Sequence, residues 1–304
     1  MTDEVPDYQQ EQLKKIKSVA RRHGRRAWFR NLLKILVPAV LFGSYFRFEA
    51  GWLEVTKKKI NVPKIPTGKK ITALHLSDLH LSSLVSIQHI DRAFQKGMEN
   101  APDVCFLTGD YVTSQPTDSQ LVDLRNCLLK YSQKIPIFAC LGNHDGGNWS
   151  AKNGGFQTDE KIRTVLKNAR VRLLDNEQVS VLIKGVTFTI TGLGDLWSMQ
   201  CMPQKCMTKI SYPAHLLLCH NPDAKDILRD YHWDLMLAGH THGGQFRIPF
   251  TQFAPLAPVK DLSLTQGLHS SHGKPIYITR GVGNIFGIRI NCRPEVSILE
   301  LASA

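Results

Sequence analysis

Eight side chains with metal-binding atoms stand at or near the ends of five short apolar runs. Asp78 and His80 end ITALHLSDLH (71–80), Asp110 ends VCFLTGD (104–110), and Asn143 and His144 lie near the end of IFACLGNHD (137–145). His220 ends HLLLCH (215–220), and His240 and His242 end LMLAGHTH (235–242). The donors are imidazole nitrogens and carboxylate or amide oxygens, and no thiolate ends a run, which disfavours a structural cysteine-type zinc site. Tetrahedral sites take about four protein ligands, so eight candidates exceed the needs of one ion. Two ions sharing a carboxylate would use seven of the eight and leave one residue for proton transfer. A pair of ions about 3.5–4 Å apart forms a clamp for in-line displacement at phosphorus, in which water is activated and developing negative charge is neutralised.

The elements that must position these residues follow from the same runs. Apolar stretches of about four to eight residues bounded by Gly, Asn and Asp are the signature of buried strands. Open α/β sheets gather their ligands beyond the carboxyl ends of such strands, so the eight side chains should converge. Between the runs lie helix-like stretches at 89–100, 118–134, 158–169 and 223–231, with Asp118, Thr158 or Asp159, and Asp223 at the expected N-caps. Strands alternating with helices imply βαβ units. Three later segments, 179–195, 274–283 and 294–301, alternate in a β-like pattern and suggest a second sheet packed on the first. The scattered His89, His215, His232, His269 and His272 are read as surface or satisfied core residues.

The ordered set D-x-H (Asp78, His80), G-D (Gly109, Asp110), G-N-H-D (Gly142 to Asp145), a lone His220 and G-H-x-H (Gly239 to His242) resembles the calcineurin-like metallophosphoesterases over roughly residues 70–300. The resemblance implies an α/β fold, the four-layer αββα sandwich, and a binuclear centre of two divalent ions, Mn2+ first, with Mg2+, Zn2+ or Fe as alternatives. Carried over motif by motif, Asp78, His80 and His242 hold the first ion, Asn143, His220 and His240 hold the second, and Asp110 bridges. His144 matches the family's histidine that contacts the phosphate and protonates the leaving oxygen, with Asp145 orienting its ring and Asn143 also facing substrate. GHTHGGQ (239–245), RGVGNIFGIR (280–289) and RPEVSIL (293–299) resemble a membrane-linked branch of the family, which includes lipid-processing phosphodiesterases and the chlamydial-type UDP-2,3-diacylglucosamine pyrophosphatases of lipid A biosynthesis. That branch implies a lipid-linked substrate, UDP-2,3-diacylglucosamine, cut to UMP and 2,3-diacylglucosamine 1-phosphate. Arg280, Arg289 and Arg293 become candidates for binding its diphosphate, because guanidinium forks match phosphate geometry. The alternatives are a generic phosphodiesterase acting on nucleotides and a non-catalytic metal-stabilised scaffold, the latter opposed by the occupation of every motif position.

Composition places the remaining features. The formal charge of +12 resembles a nucleic-acid signal, but residues 1–70 carry 16 Lys/Arg against 6 Asp/Glu, leaving 22 against 20 for the rest. The positive charge therefore belongs to an N-terminal arm, read as residues 1–68 before a catalytic domain at 69–304, and no nucleic-acid partner is expected. Eight basic residues from Lys14 to Arg30 precede an apolar stretch at about 32–46, uninterrupted for twelve residues between Lys34 and Arg47. A span needs about 20 residues, so the favoured reading is an interfacial anchor on anionic lipid of the inner (cytoplasmic) membrane, with the catalytic domain on the cytoplasmic face. A true span, a twin-arginine export signal at Arg25-Arg26 that lacks a cleavage site, and a buried amphipathic helix are the other readings. Seven cysteines, three of them inside strand runs, form no disulfide framework and fit a reducing compartment; Cys201 and Cys206 make a lone C-x4-C pair. Two apolar loops, 198–207 with three methionines and 246–259 with Phe246, Phe250, Phe253 and Leu256, would suit a lipid portion of substrate if both are exposed beside the ions.

Overall fold

The computed structural model describes residues 7–207, 213–251 and 253–303. The chain divides into two units, Met1–Phe46 and Arg47–Ala304. The second unit is built on two six-stranded sheets. The first runs β1 (Glu54–Asn61), β12 (Glu295–Ala302), β2 (Lys70–Leu76), β3 (Val104–Thr108), β4 (Ile137–Cys140) and β5 (Arg172–Leu173). The second runs β10 (Gly267–Ser271), β11 (Lys274–Ile278), β9 (Leu235–Ala238), β8 (Ala214–Leu218), β7 (Val186–Gly192) and β6 (Glu177–Ile183). Within the first sheet β2, β3 and β4 are parallel, and within the second β7, β8 and β9 are parallel. The expected two sheets are present, but their membership differs from expectation. The segment around 294–301 is β12 of the first sheet, while two of the five ligand-bearing runs, β8 and β9, belong to the second.

The ligand-bearing strands read as continuous apolar runs because both of their faces are covered. On β3, Cys105 and Leu107 face a cluster under the helices, whereas Val104 and Phe106 face the space between the sheets. On β9, Leu235 and Leu237 join that same intersheet core, and Met236 and Ala238 face outward against Trp233 and Leu228. The helical layer over the first sheet is α2 (Ile87–Met98), α3 (Asp118–Ser132) and α5 (Glu160–Asn168), which follows a single turn, α4 (Asn148–Lys152). Ile90 and Phe94, Leu124 and Leu128, and Ile162 and Leu166 supply its buried contacts. At α3 the N-cap is Thr117, not Asp118: its hydroxyl takes the Gln120 N–H while the Gln120 side chain takes the Thr117 N–H, a reciprocal capping box.

The outer face of the second sheet is covered by 3-10 turns and irregular chain. The helix expected at 223–231 is only the turn Pro222–Asp226. Asn221 accepts the Asp223 N–H and Asp223 accepts the Lys260 N–H, so side chains capture backbone groups and pin the segment as a turn.

The domain boundary also moves. Residues 47–68, assigned to the arm, belong with the sheets, because β1 pairs in parallel with β12 from Glu54↔Glu295 to Asn61↔Ala302. Lys57, Lys58 and Lys59 lie on this edge strand, where charge discourages pairing with another chain. The arm itself is helical: α1 (Asp7–Gly51) continues through Lys34, Pro38 and Arg47. Its segment Trp28–Gly51, 24 residues, is long and apolar enough to cross a membrane, about 36 Å against a hydrocarbon core of about 30 Å. The uninterrupted apolar stretch is the expected twelve residues, and the longer segment arises because the helix continues through Arg30, Lys34, Arg47 and Glu49. Within it Trp28, Leu33, Ile35, Val37, Val40 and Phe42 are exposed. The side chains of Arg25 and Arg26, on which the export reading turned, lie outside the described residues.

Candidate metal centre

The strands β2, β3, β4, β8 and β9 each stop two to four residues before a ligand, and the chain then turns sharply. Asp78, His80, Asp110, His240 and His242 have φ of 52°, 50°, 56°, 69° and 52°. Such left-handed conformations cost non-glycine residues about 1–3 kcal/mol each and persist where the surroundings compensate, commonly at functional sites. Neighbouring glycines make room: a Cβ on Gly142 would collide with Asp110 Oδ1, and one on Gly239 with Ser77 Oγ and Asp78 Oδ2.

The result is two knots of donor atoms that share Asp110. In the first, His80 Nε2 lies 3.0 Å from His242 Nε2, and His242 Nε2 lies 3.4 Å from Asp78 Oδ1. In the second, His220 Nε2 lies 3.2 Å from both Asn143 Oδ1 and His240 Nδ1. Asp110 Oδ2 is 3.6 Å from His80 Nε2 and 3.1 Å from His220 Nε2. Asp78, His80 and His242, and likewise Asp110, His220 and His240, place one ligand atom each within 4.8 Å of one another. All seven expected ligands are therefore brought together, and all are buried.

Hydrogen bonds on the far side of these groups set their orientation. His220 Nδ1 donates to Thr108 O at 2.6 Å, which turns Nε2 toward Asp110 and Asn143. Asp78 accepts the His240 N–H at 3.0 Å, and Asp110 Oδ1 accepts the His144 N–H at 2.9 Å. Burial holds His80 and His240 down to about 3 and His242 well below its ordinary range, so these imidazoles are neutral at physiological pH. Burial raises Asp110, but His220 and His144 outweigh it and keep the carboxyl well below its usual range. Conversely, burial lowers His220, yet the Asp110 carboxylate pushes it up to about 10. Neutral imidazole nitrogens 3.0 Å apart, with an ionised carboxylate between the knots, suit two divalent cations.

His144 sits at the edge of this centre, grouped with His80 and Asp110. The structure corrects the role expected of Asp145, which does not touch the His144 ring. Asp145 instead accepts the backbone N–H groups of Asp110, Tyr111 and Gly142 at 2.9, 2.7 and 2.8 Å, and so fixes the loops that carry the bridge and Asn143. The His144 ring is oriented by Thr113, whose carbonyl takes Nδ1–H at 2.6 Å, while Thr113 Oγ1 reaches His80 Nδ1 at 3.2 Å.

The three arginines are likewise corrected. Arg289 is fully buried and spends its guanidinium on the carbonyls of Arg280, Gly281, Gly283, His242 and Cys292. Arg280 pairs with Glu54 at 2.8 Å and Glu295 at 3.1 Å. Arg293 lies 3.7 Å from Glu54 and donates to the carbonyls of Trp52 and Leu53. Their donors close the tail of the chain onto the sheet and the His242 loop, so none is a free fork for a diphosphate.

Residues that sequence patterns did not single out complete the rim. Trp149 packs edge-on against His144 at 4.6 Å, Trp197 against His240 at 4.3 Å, and the two indoles lie 5.7 Å apart. Their position two to six residues beyond strand-end motifs was the available signal. His75, His89, His215, His232 and His269 bind elsewhere, to Thr108, Val282, Thr191, Asp234 and Gln266 respectively. All seven cysteines are free thiols. Of the methionine loop, Met199 is exposed but Met207 is buried, whereas the phenylalanine loop exposes Phe250, Phe253 and Leu256.

Comparison with known proteins agrees with this geometry. The family model described as calcineurin-like phosphoesterase matches residues 71–244. The chain is 36% identical over 277 residues to phosphodiesterase YaeI of Escherichia coli (strain K12), covering 91% of this chain and 98% of that protein. It is 30% identical over 240 residues to the uncharacterized metallophosphoesterase YkoQ of Bacillus subtilis (strain 168), covering 78% and 86%. It is 27% identical over 325 residues to the UDP-2,3-diacylglucosamine pyrophosphatase LpxG of Chlamydia trachomatis serovar D, covering 89% and 96%.

Proposed function

Since the chain belongs to the calcineurin-like phosphoesterase family and is a metal-dependent hydrolase, we propose that it cleaves a phosphoanhydride or phosphodiester bond in a lipid-linked substrate, with UDP-2,3-diacylglucosamine, cut to UMP and 2,3-diacylglucosamine 1-phosphate, as the first candidate. Asp78, His80 and His242 would hold one divalent ion and Asn143, His220 and His240 a second, with Asp110 within reach of both, and the ions, Mn2+ first, would supply Lewis acidity toward water and the phosphate. The chain's own groups do the rest. His144, with Nδ1–H committed to Thr113 O, keeps Nε2 for a proton delivered to the leaving oxygen. Asn143 positions the phosphate beside it, and Trp149 and Trp197 pack against His144 and His240 and hold those rings.

The observation that carries the lipid reading is the loop directly after His242, where Phe250, Phe253 and Leu256 stand exposed, with Phe286 on the neighbouring chain turn. Leu256 and Phe286 line one pocket with His242, and exposed apolar groups at such a pocket mark a ligand or membrane contact. The arm supports delivery to a membrane surface: its basic residues suit anionic lipid, and Trp28–Gly51 has the length to anchor it. We keep the catalytic domain on the cytoplasmic face of the inner membrane with the arm lying on the bilayer, whereas a span by Trp28–Gly51 with its basic flank inside would place the domain on the opposite face. A second reading, a general phosphodiesterase acting on nucleotides or other diesters, is favoured by the greater identity to the phosphodiesterase YaeI than to LpxG, 36% against 27%.

Release of UMP from UDP-2,3-diacylglucosamine in mixed micelles, compared with hydrolysis of soluble bis(p-nitrophenyl) phosphate, separates them. The lipid reading expects kcat/KM about 100-fold higher for the lipid, the equivalent of burying three or four methylenes. Equal values, or no UMP, would leave the general phosphodiesterase.

A further inference from the structure

The turn after His242 holds a polar group that the chemistry above does not use. Gln245 is 5% exposed, with φ of 53°. Its Oε1 faces the Ile285 N–H at 3.5 Å, which identifies that end of the carboxamide as the oxygen, since a backbone N–H points at an acceptor. Nε2 is buried and has no acceptor among the described residues. Buried donors are seldom left without a partner, and such an exception calls for a ligand or water.

Gln245 lines a pocket of about 320 Å³ that begins at His242 and is otherwise walled mainly by Phe246, Leu256, Pro258, Ile285 and Phe286. The Thr241 hydroxyl at its edge is already spent on Thr265 O at 2.6 Å. The pocket is an apolar volume beside His242, and the buried, unpartnered Gln245 Nε2 lies on a residue of its wall, from which a turn of the side chain would bring it to an acceptor inside. A nucleobase would bring several polar edge atoms into it and find one partner. An acyl chain brings one acceptor, its carbonyl, followed by methylenes that suit the walls.

We propose that this pocket receives one acyl chain of the substrate and that Gln245 Nε2 donates to the carbonyl oxygen of its ester or amide link. The assignment rests on the lipid-substrate reading and makes it specific: an alkyl chain of equal length without a carbonyl fills the walls but leaves the donor unpaired.

The test uses the full chain with Mn2+ in detergent micelles and three substrates: the p-nitrophenyl phosphodiester of a diacylglycerol, its dialkyl ether counterpart, and soluble bis(p-nitrophenyl) phosphate. The wild type is expected to favour the acyl over the ether lipid by about ten-fold in kcat/KM, the effect of satisfying one buried donor. Gln245→Leu, similar in size but without the donor, is expected to bring that ratio close to one. Leu256→Trp, at an exposed position on the pocket lip, is expected to shift preference from long to short acyl chains, and it decides the matter if Gln245→Leu is not recovered folded. An acyl-to-ether ratio unchanged by Gln245→Leu, or a chain-length preference unchanged by Leu256→Trp, overturns the inference while lipids still outpace the soluble diester. Lipids cut no faster than the soluble diester overturn both this inference and the lipid reading.

Discussion

Asp110→Asn is expected to lower kcat by at least about 10³-fold and to leave no more than one ion per chain, because the same carboxylate oxygen serves both knots of ligands. The amide keeps the volume and one oxygen but loses the charge that neutralises two cations at once. Titration behaviour separates this from simple misfolding. In chelator-treated wild type, Asp110 holds the His220 imidazole up to about 10, so at pH 8 a proton occupies a ligand nitrogen. Metal uptake must expel that proton, and affinity should climb with pH until about 10. Without the Asp110 charge only the weaker pulls of Asp78 and Asp195 oppose burial, so His220 gives up its proton at lower pH than in the wild type. Calorimetric titration in buffers of different ionisation enthalpy should therefore show more proton release on metal uptake from the wild type than from Asp110→Asn at pH 8. Proton release equal in the two proteins would contradict the bridging role.

His144→Ala should separate chemistry from metal binding. The His144 side chain hydrogen-bonds to Thr113 O, whereas the contact that steadies Asp110 comes from its backbone N–H, which alanine retains. Two ions should remain bound while turnover falls by about 10²–10⁴-fold, the range for a lost general acid. The loss should be greatest for an alkyl leaving group, which needs a proton, and least for p-nitrophenolate, which leaves as an anion. A uniform loss across leaving groups would assign His144 to phosphate binding instead, and loss of an ion would make it a ligand.

The metal ligands could be read before the fold because each follows an apolar run that both sheet faces bury, and a strand end in such a sheet is where the chain can turn a side chain into a shared crevice. Which sheet each run joins was not legible. β8 and β9 look like β2 and β3 in composition, and only pairing distinguishes them. Asp145 and the three arginines failed for a common reason: sequence shows which groups are charged but not whether backbone amides and carbonyls of the same turns will consume them. Asp145 serves three amides, and Arg289 serves five carbonyls. The short 3-10 turn at Pro222–Asp226 has the same origin, since Asn221 and Asp223 compete with helix for backbone donors. Trp149 and Trp197 were missed because they belong to loops whose only signal is nearness in the chain to strand ends, which says nothing of the histidines they pack against.

Anomalous diffraction from crystals of the manganese-loaded protein tests the central claim most directly. Two peaks per chain, about 3.5–4 Å apart and on either side of the Asp110 carboxylate, are predicted, one among Asp78, His80 and His242 and the other among Asn143, His220 and His240. A single peak, or a pair with Asp110 bound to only one of them, would contradict it.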